Sequence, residues 1–239
     1  MAAPSLAGFV LAGGRSTRMG QDKALLPLGG VPLIQRAVWK LRKLTSQIFV
    51  LGSRPELAPF APLVPDLRGS CGPLGGMEAA LSHTPCDWSL VLPVDMPFLP
   101  TVLLRCWAGI VLSQTSARVA CFVVDDVPQP ALCLLHREML PFLTEAAQQG
   151  RFKLYPTLTQ AALQLATRAG TASEAVFLER RWMAKEALLL FRELQVEAGE
   201  GDREPLSPAQ EAASNLWFEN LNTPEQFAEA HHSLDAAEV

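Results

Sequence analysis

The sequence contains no CxxC pair: its five cysteines, Cys71, Cys86, Cys106, Cys121 and Cys133, are scattered and odd in number. Zinc ribbons and disulfide frameworks need paired or regularly spaced thiols. Neither is expected, and the thiols read as small buried hydrophobes of a reducing compartment. No apolar stretch approaches the roughly twenty residues of a bilayer crossing. No Lys or Arg precedes Arg15, so the apolar run at 6–14 lacks the charged lead-in of a secretion signal. A soluble, cytoplasmic protein with no membrane partner is therefore expected. Positive charge is also in short supply: 20 Lys and Arg stand against 24 Asp and Glu, a net charge of −4. That balance argues against a nucleic-acid partner and leaves room for a small anionic ligand held by local clusters of Arg and Lys. With 49% hydrophobic and 18% charged residues, the chain is globular. It has no internal repeat.

Short apolar runs alternate with longer amphipathic stretches. Strands are expected at 7–12, 47–51, 88–94, 119–124 and 131–136, and helices at 33–44, 77–82, 101–112 and 138–149. This alternation predicts an α/β fold, a mainly parallel, doubly wound, Rossmann-like sheet with helices on both faces. The stretch 159–197 is rich in Ala, Leu, Glu and Arg and reads as helix. We therefore expect one domain over 1–239, interrupted at about 160–213 by a helical insertion with a packing or lid role. In such sheets ligands bind beyond the carboxyl ends of the strands, where Gly13-Gly14 and Asp95 fall.

Four constellations carry chemistry. The first is Leu11-Ala12-Gly13-Gly14-Arg15-Ser16-Thr17-Arg18-Met19-Gly20-Gln21-Asp22-Lys23. Two glycines after a strand let the backbone approach a phosphate, whose oxygens successive N–H groups can cradle. Arg15, Arg18 and Lys23 supply charge for a polyphosphate, Arg through its planar fork and Lys as a point charge. The spacing is neither G-x-G-x-x-G nor G-x-x-x-x-G-K-[ST], which removes the dinucleotide and P-loop readings. The second is Asp66 with Gly72-Pro73-Leu74-Gly75-Gly76, read as a tight turn against a flat ring before a helix near Met77. The third is Asp95, at the end of a buried strand, where its carboxylate can meet Mg²⁺ carried by phosphates. The fourth is Asn220-Leu221-Asn222-Thr223-Pro224-Glu225. Its two amides point to one side of an extended segment, and Thr223 is placed to cap a helix from Pro224. Plainer readings stay open for each: a glycine turn, a proline turn, a capping Asp and an ordinary helix start.

Together these segments resemble the GT-A-like nucleotidyltransferases, and most closely the molybdenum cofactor guanylyltransferases. The first matches L-A-[AG]-G-x-[SG]-x-R-M-G-x-D-K, the second D-x(5–6)-G-P-L-[AG]-G, and the third C-D-[MT]-P-F with Val94 in place of Cys. The fourth looks like N-x-N-T-P-E-[DE]. The resemblance covers most of 7–156 and returns at 216–228. It implies transfer of GMP from GTP to molybdopterin, releasing pyrophosphate and forming the guanine dinucleotide. It further implies that Leu11, Ala12, Gly13, Gly14, Arg18, Lys23, Asp66, Gly75 and Asp95 bind GTP. Arg18, Lys23 and Asp95 would be catalytic, Asp95 would hold Mg²⁺, and Asn220 and Asn222 would face the pterin acceptor. Molybdoenzymes or their chaperones would receive the product. Gly13 favours guanine over cytosine. Cytidylyl transfer, a sugar-phosphate acceptor, or a non-catalytic GTP-binding module remain as alternatives. One departure stands out: members carry an Asn shortly after the second strand, where this chain reads Val50-Leu51-Gly52-Ser53-Arg54.

Overall fold

The computed structural model describes residues 4–12, 22–69, 71–199 and 204–237. In chain order its elements begin with strand β1 (Leu6–Leu11), the small hairpin β2 (Pro27–Leu28) and β3 (Val31–Pro32), and helix α1 (Leu33–Arg42). Strands β4 (Ile48–Leu51) and β5 (Leu63–Val64), helix α2 (Gly72–His83), strand β6 (Trp88–Pro93) and helix α3 (Thr101–Ser113) follow. Strands β7 (Val119–Val124) and β8 (Val127–His136) then lead to helices α4 (Leu140–Gln148), α5 (Leu154–Ala169) and α6 (Ser173–Val176). The chain continues through strand β9 (Phe177–Trp182) and helices α7 (Ala187–Ala198), α8 (Pro208–Ala212) and α9 (Pro224–Ala230).

Seven strands form one sheet in the order β5-β4-β1-β6-β8-β7-β9. The pairs β4–β5, β1–β4, β1–β6 and β7–β9 are parallel, as expected. Strand β8 runs antiparallel to both β6 and β7. It follows β7 through a two-residue turn at Asp125 and Asp126, whose φ values are 47° and 63°. Such a turn matches strand twist and forces antiparallel pairing, so the Asp-Asp pair reverses the strand.

Alternate side chains of each strand enter opposite cores, as the two-residue period of a strand requires. Val10, Phe122 and Leu134 join one core with residues of α1, α3 and α7, whereas Phe9, Cys121 and Cys133 join the other with α2, α4 and α5. The continuous apolar runs of β1, β6 and β7 follow from burial on both faces. All five cysteines are free and buried. Burial pushes the Cys121 thiol up to about 12 and holds the Cys133 thiol well above its ordinary value, so both are inert packing groups. Among the described residues no helix is long and apolar enough to cross a membrane.

The stretch 159–197, expected to be helix, differs from that expectation at one element. Residues 177–182, with Glu179-Arg180-Arg181 at their centre, form β9 and extend the sheet rather than a helix. Charges on an edge strand face solvent and discourage further pairing, which gives β9 the composition of an exposed helix. Helix α7 packs Ala187, Phe191 and Leu194 into the first core, so this stretch packs against the sheet. Trp217 closes it. Its ring is 0% exposed, lies 5.7 Å from Phe191 and 6.1 Å from Trp182, and its Nε1 donates to the Gln210 carbonyl at 3.0 Å. The C-terminus is held by buried Arg36, which donates to the carbonyls of Leu28 (2.8 Å) and Ala237 (3.1 Å).

Truncating Trp217 to Ala should cost about 3–5 kcal/mol of stability, the range for removing a buried aromatic ring. Urea unfolding measures it; a loss under about 1 kcal/mol would place the segment outside the cooperative core.

Candidate active site

The carboxyl ends of β4, β1 and β6 lie side by side. There the Val94 N–H donates to the Leu11 carbonyl at 3.2 Å, stitching the exit of β6 to the exit of β1. Gly13, Gly14 and Arg18 lie outside the described residues. Leu11 and Ala12, the last residues before them, sit at the end of β1, and Ala12 is buried.

The chain returns at Asp22, whose carboxylate caps a short 3-10 turn, Lys23–Leu25, by accepting from the Ala24 N–H at 3.0 Å. This cap fixes the start of Lys23. Its Nζ lies 2.6 Å from Asp95 Oδ2 and 2.6 Å from Asn222 Oδ1. Three segments far apart in sequence therefore meet at one ammonium group. The Lys23 and Asp95 side chains are only 13% and 20% exposed, so the charges interact through a medium less screening than water.

Asp95 is there because β6 is six buried residues, all but Ser89 apolar, and the chain turns immediately beyond them. Its carbonyl accepts from the Leu221 N–H at 3.0 Å, which pins the C-terminal segment across the end of the sheet. Thr223 caps α9 as expected, in a full capping box with Gln226. Gln226 Oε1 also accepts from the Asn222 N–H at 2.6 Å, so the helix cap orients the residue that meets Lys23. The helix start expected at Pro224 is present, and the same cap sets Asn222 beside Lys23. Of the two amides, only Asn222 reaches the cluster; among the described residues Asn220 makes no hydrogen bond to Lys23 or Asp95.

The Asp66 element departs from its expected form. Gly72-Pro73-Leu74-Gly75-Gly76 is the first part of α2, which starts at Gly72 rather than near Met77. Pro73 in the first turn costs no helical hydrogen bond there, so the residues read as a turn begin the helix. The glycines serve close approach: a Cβ on Gly75 would lie 2.9 Å from Cys71 Cβ and 3.7 Å from Asp66 Cγ. One on Gly76 would lie 3.2 Å from Leu11 Cδ1. Asp66 and Gly75 are thus brought together, beside the end of β1. Loss of water around the Asp66 carboxyl raises its pKa above the ordinary value.

Three residues near the site were not singled out by sequence. The Arg54 guanidinium donates to the Ala12 carbonyl at 2.5 Å and pairs with Asp22. Fully buried Glu78 of α2 pairs with Arg68, tying the Asp66 connection to the helix. The only signal for Arg54 was its place just past a strand adjoining the glycine-rich segment; Glu78 and Arg68 gave none, lying inside and beside an apolar stretch. Ser53 is exposed beyond β4. A cavity of about 1010 Å³ lies elsewhere, along β9 between α3, α5 and α7, and contains none of these groups.

The model of the MobA-like NTP transferase domain matches residues 8–188. A molybdenum cofactor guanylyltransferase of Xanthomonas euvesicatoria is 42% identical over 149 residues, covering 60% of this chain and 74% of that protein. One from Serratia proteamaculans is 35% identical over 156 residues, covering 62% and 77%. Among solved structures, molybdopterin-guanine dinucleotide biosynthesis protein A from Archaeoglobus fulgidus superposes with a TM-score of 0.59 at 21% identity, covering 95% of this chain and 97% of that one. At that identity the likeness shows the fold. Asn222 lies beyond the matched 8–188.

The raised pKa of Asp66 makes a signed prediction. The folded protein holds this proton more tightly than the unfolded chain does, so stability falls as pH rises through the interval between the two pKa values. Asp66→Asn removes that loss. Its thermal midpoint at pH 7 should equal or exceed that of the native protein. A lower midpoint would contradict the desolvation of Asp66.

Proposed function

The chain belongs to the family of MobA-like NTP transferase domains, and from that premise we propose that it transfers GMP from GTP to the terminal phosphate of molybdopterin. The oxygen of that phosphate attacks the α-phosphorus of GTP, the bond to the bridging oxygen breaks, and pyrophosphate leaves. No side chain becomes covalent, so the protein contributes position and charge.

The observation that carries the reading is the sharing of Lys23 Nζ between Asp95 and Asn222. Lys23 is the point charge for the triphosphate and the leaving pyrophosphate. Asn222 stands where the C-terminal segment meets the reacting groups, on the acceptor side, and Asn220 is the outer member of that pair. Asp66 and Gly75 border the guanosine, with Leu11 and Ala12 leading into the phosphate segment that contains Gly13, Gly14 and Arg18.

Asp95 is a hard oxygen ligand, suited to Mg²⁺. Among the described residues no group of three or more His, Cys, Asp or Glu could hold a metal by itself. An ion there would take its remaining ligands from phosphate oxygens and water, the usual condition of Mg²⁺ at nucleotide sites. When bound, Mg²⁺ offsets the charge that grows on the phosphate oxygens. A cytoplasmic location, with GTP at hand and the thiols reduced, accords with this chemistry, and molybdoenzymes or their chaperones would take the product. Guanine rests on the relatives' own names more than on Gly13.

Pyrophosphate release from each of the four nucleoside triphosphates, with molybdopterin and Mg²⁺, tests the reading. GTP should be preferred; preference for CTP would make the enzyme a cytidylyltransferase, and GTP binding without turnover would make it a sensor. Asp95→Ala should lower the rate on the order of a thousandfold, the scale of several kcal/mol of lost charge stabilisation. Native rates in that variant would remove the metal assignment. Lys23→Ala should weaken GTP binding by about 10- to 100-fold and guanosine binding hardly at all, since a charge-assisted contact to phosphate is lost. Equal loss for both ligands would contradict the phosphate role.

A further inference from the structure

Arg54 takes no part in the reaction as proposed, yet its guanidinium joins the two ends of the phosphate-binding segment. One nitrogen, Nη2, donates to the carbonyl of Ala12 at 2.5 Å; the other, Nη1, forms an ion pair with Asp22 Oδ2. Ala12 ends the run from β1, and Asp22 is the residue before Lys23. The second oxygen of Asp22 is already engaged, capping the turn Lys23–Leu25 through the Ala24 N–H at 3.0 Å. A continuous path of bonds therefore runs from Arg54 through Asp22 and its capped turn to Lys23, and from there to Asp95 and Asn222.

The base of Arg54 is fixed as firmly as its tip. It lies just past Gly52 and Ser53 at the exit of β4, whose Leu51 sits opposite Leu11 of β1 in the parallel register. It precedes Pro55, which restricts its backbone to the extended form it shows, φ −76° and ψ 118°. Its carbonyl accepts from the N–H of Leu57, a residue with 0% exposure, at 3.1 Å. The side chain thus reaches sideways from a neighbouring strand rather than from within the segment it spans.

We infer that Arg54 is a positioning residue: by clamping Ala12 and Asp22 it sets the spacing of the two ends of the triphosphate-binding segment and aims Lys23 at its target. The inference rests on the nucleotide-binding reading above. A carbonyl and a carboxylate ten residues apart are held at once by two nitrogens of one rigid plane, which a lysine ammonium, a single point charge on a flexible stem, does not reproduce. The rival role for an arginine here is direct contact with phosphate. The two roles predict opposite effects for a change at Asp22. Asp22→Asn keeps an oxygen to cap Ala24 and removes a negative charge from the neighbourhood of a triphosphate. If Arg54 binds phosphate directly, that change frees it and leaves GTP affinity equal or stronger. If Arg54 is a clamp, the same change weakens GTP binding.

The experiment is a double-mutant cycle on the full chain, with GTP and Mg²⁺ titrated calorimetrically into the native protein, Arg54→Ala, Asp22→Asn and the double variant. Urea midpoints measured alongside report whether each variant is folded. The clamp predicts a loss of about tenfold in each single variant, the scale of one charge-assisted hydrogen bond, and a double variant no weaker than the worse single. Arg54→Lys should bind GTP as weakly as Arg54→Ala. Unchanged affinity in folded Arg54→Ala overturns the inference, as do unchanged or tighter binding by Asp22→Asn, full rescue by Arg54→Lys, and additive losses. Failure of the native protein itself to bind GTP would instead overturn the nucleotide-site reading on which the clamp depends.

Discussion

The site is organised around one ammonium group. Lys23 Nζ is 2.6 Å from both Asp95 and Asn222, so the turn at Lys23, the end of β6 and the C-terminal segment meet at it. A part-buried ion pair is a weak source of stability, because desolvating both charges offsets much of their attraction. Its effect here is on register: it fixes which residues face one another at the carboxyl end of the sheet. In a nucleotide complex the same ammonium has phosphate oxygens as competing partners, and a carboxylate suited to a divalent ion lies beside it.

The rest of the fold serves that meeting point. Parallel pairing of β4, β1 and β6 puts their exits side by side, and the buried runs of those strands leave Asp95 as the first charged group beyond the sheet. Glycine at 75 and 76 lets α2 come close to Cys71 and Leu11, which brings Asp66 to the same edge. The capping box of α9 sets the direction of Asn222. Each local choice is ordinary; a strand end, a helix cap and a small residue acquire functional meaning from convergence.

Much of this was legible in the sequence for a definite reason. Buried strands are continuous apolar runs, so β1, β6 and β7 were placed to within a residue or so. A charged residue directly after such a run lies at an exit, which marks Asp95, whereas Lys23 is marked by the glycine-rich segment it closes; neither signal says that the two touch. Less legible were features that depend on partners distant in sequence. Glu179-Arg180-Arg181 has no apolar alternation and became a strand only because β7 offered an unpaired edge. Gly72-Pro73 has the composition of a turn and starts a helix because proline is harmless in a first turn. Arg54 gave no signal of its own, since its two partners lie on either side of a segment folded from another part of the chain. The amide pair was half read: the two-residue spacing picks out both Asn220 and Asn222, and the cap at Thr223 decides which one reaches Lys23.

The most direct measurement of the central claim is the mass of the product formed from GTP, Mg²⁺ and molybdopterin. The account predicts a pterin heavier by one GMP unit, with one pyrophosphate released for each adduct. GTP recovered intact beside unmodified pterin, or hydrolysed without adduct, would contradict it.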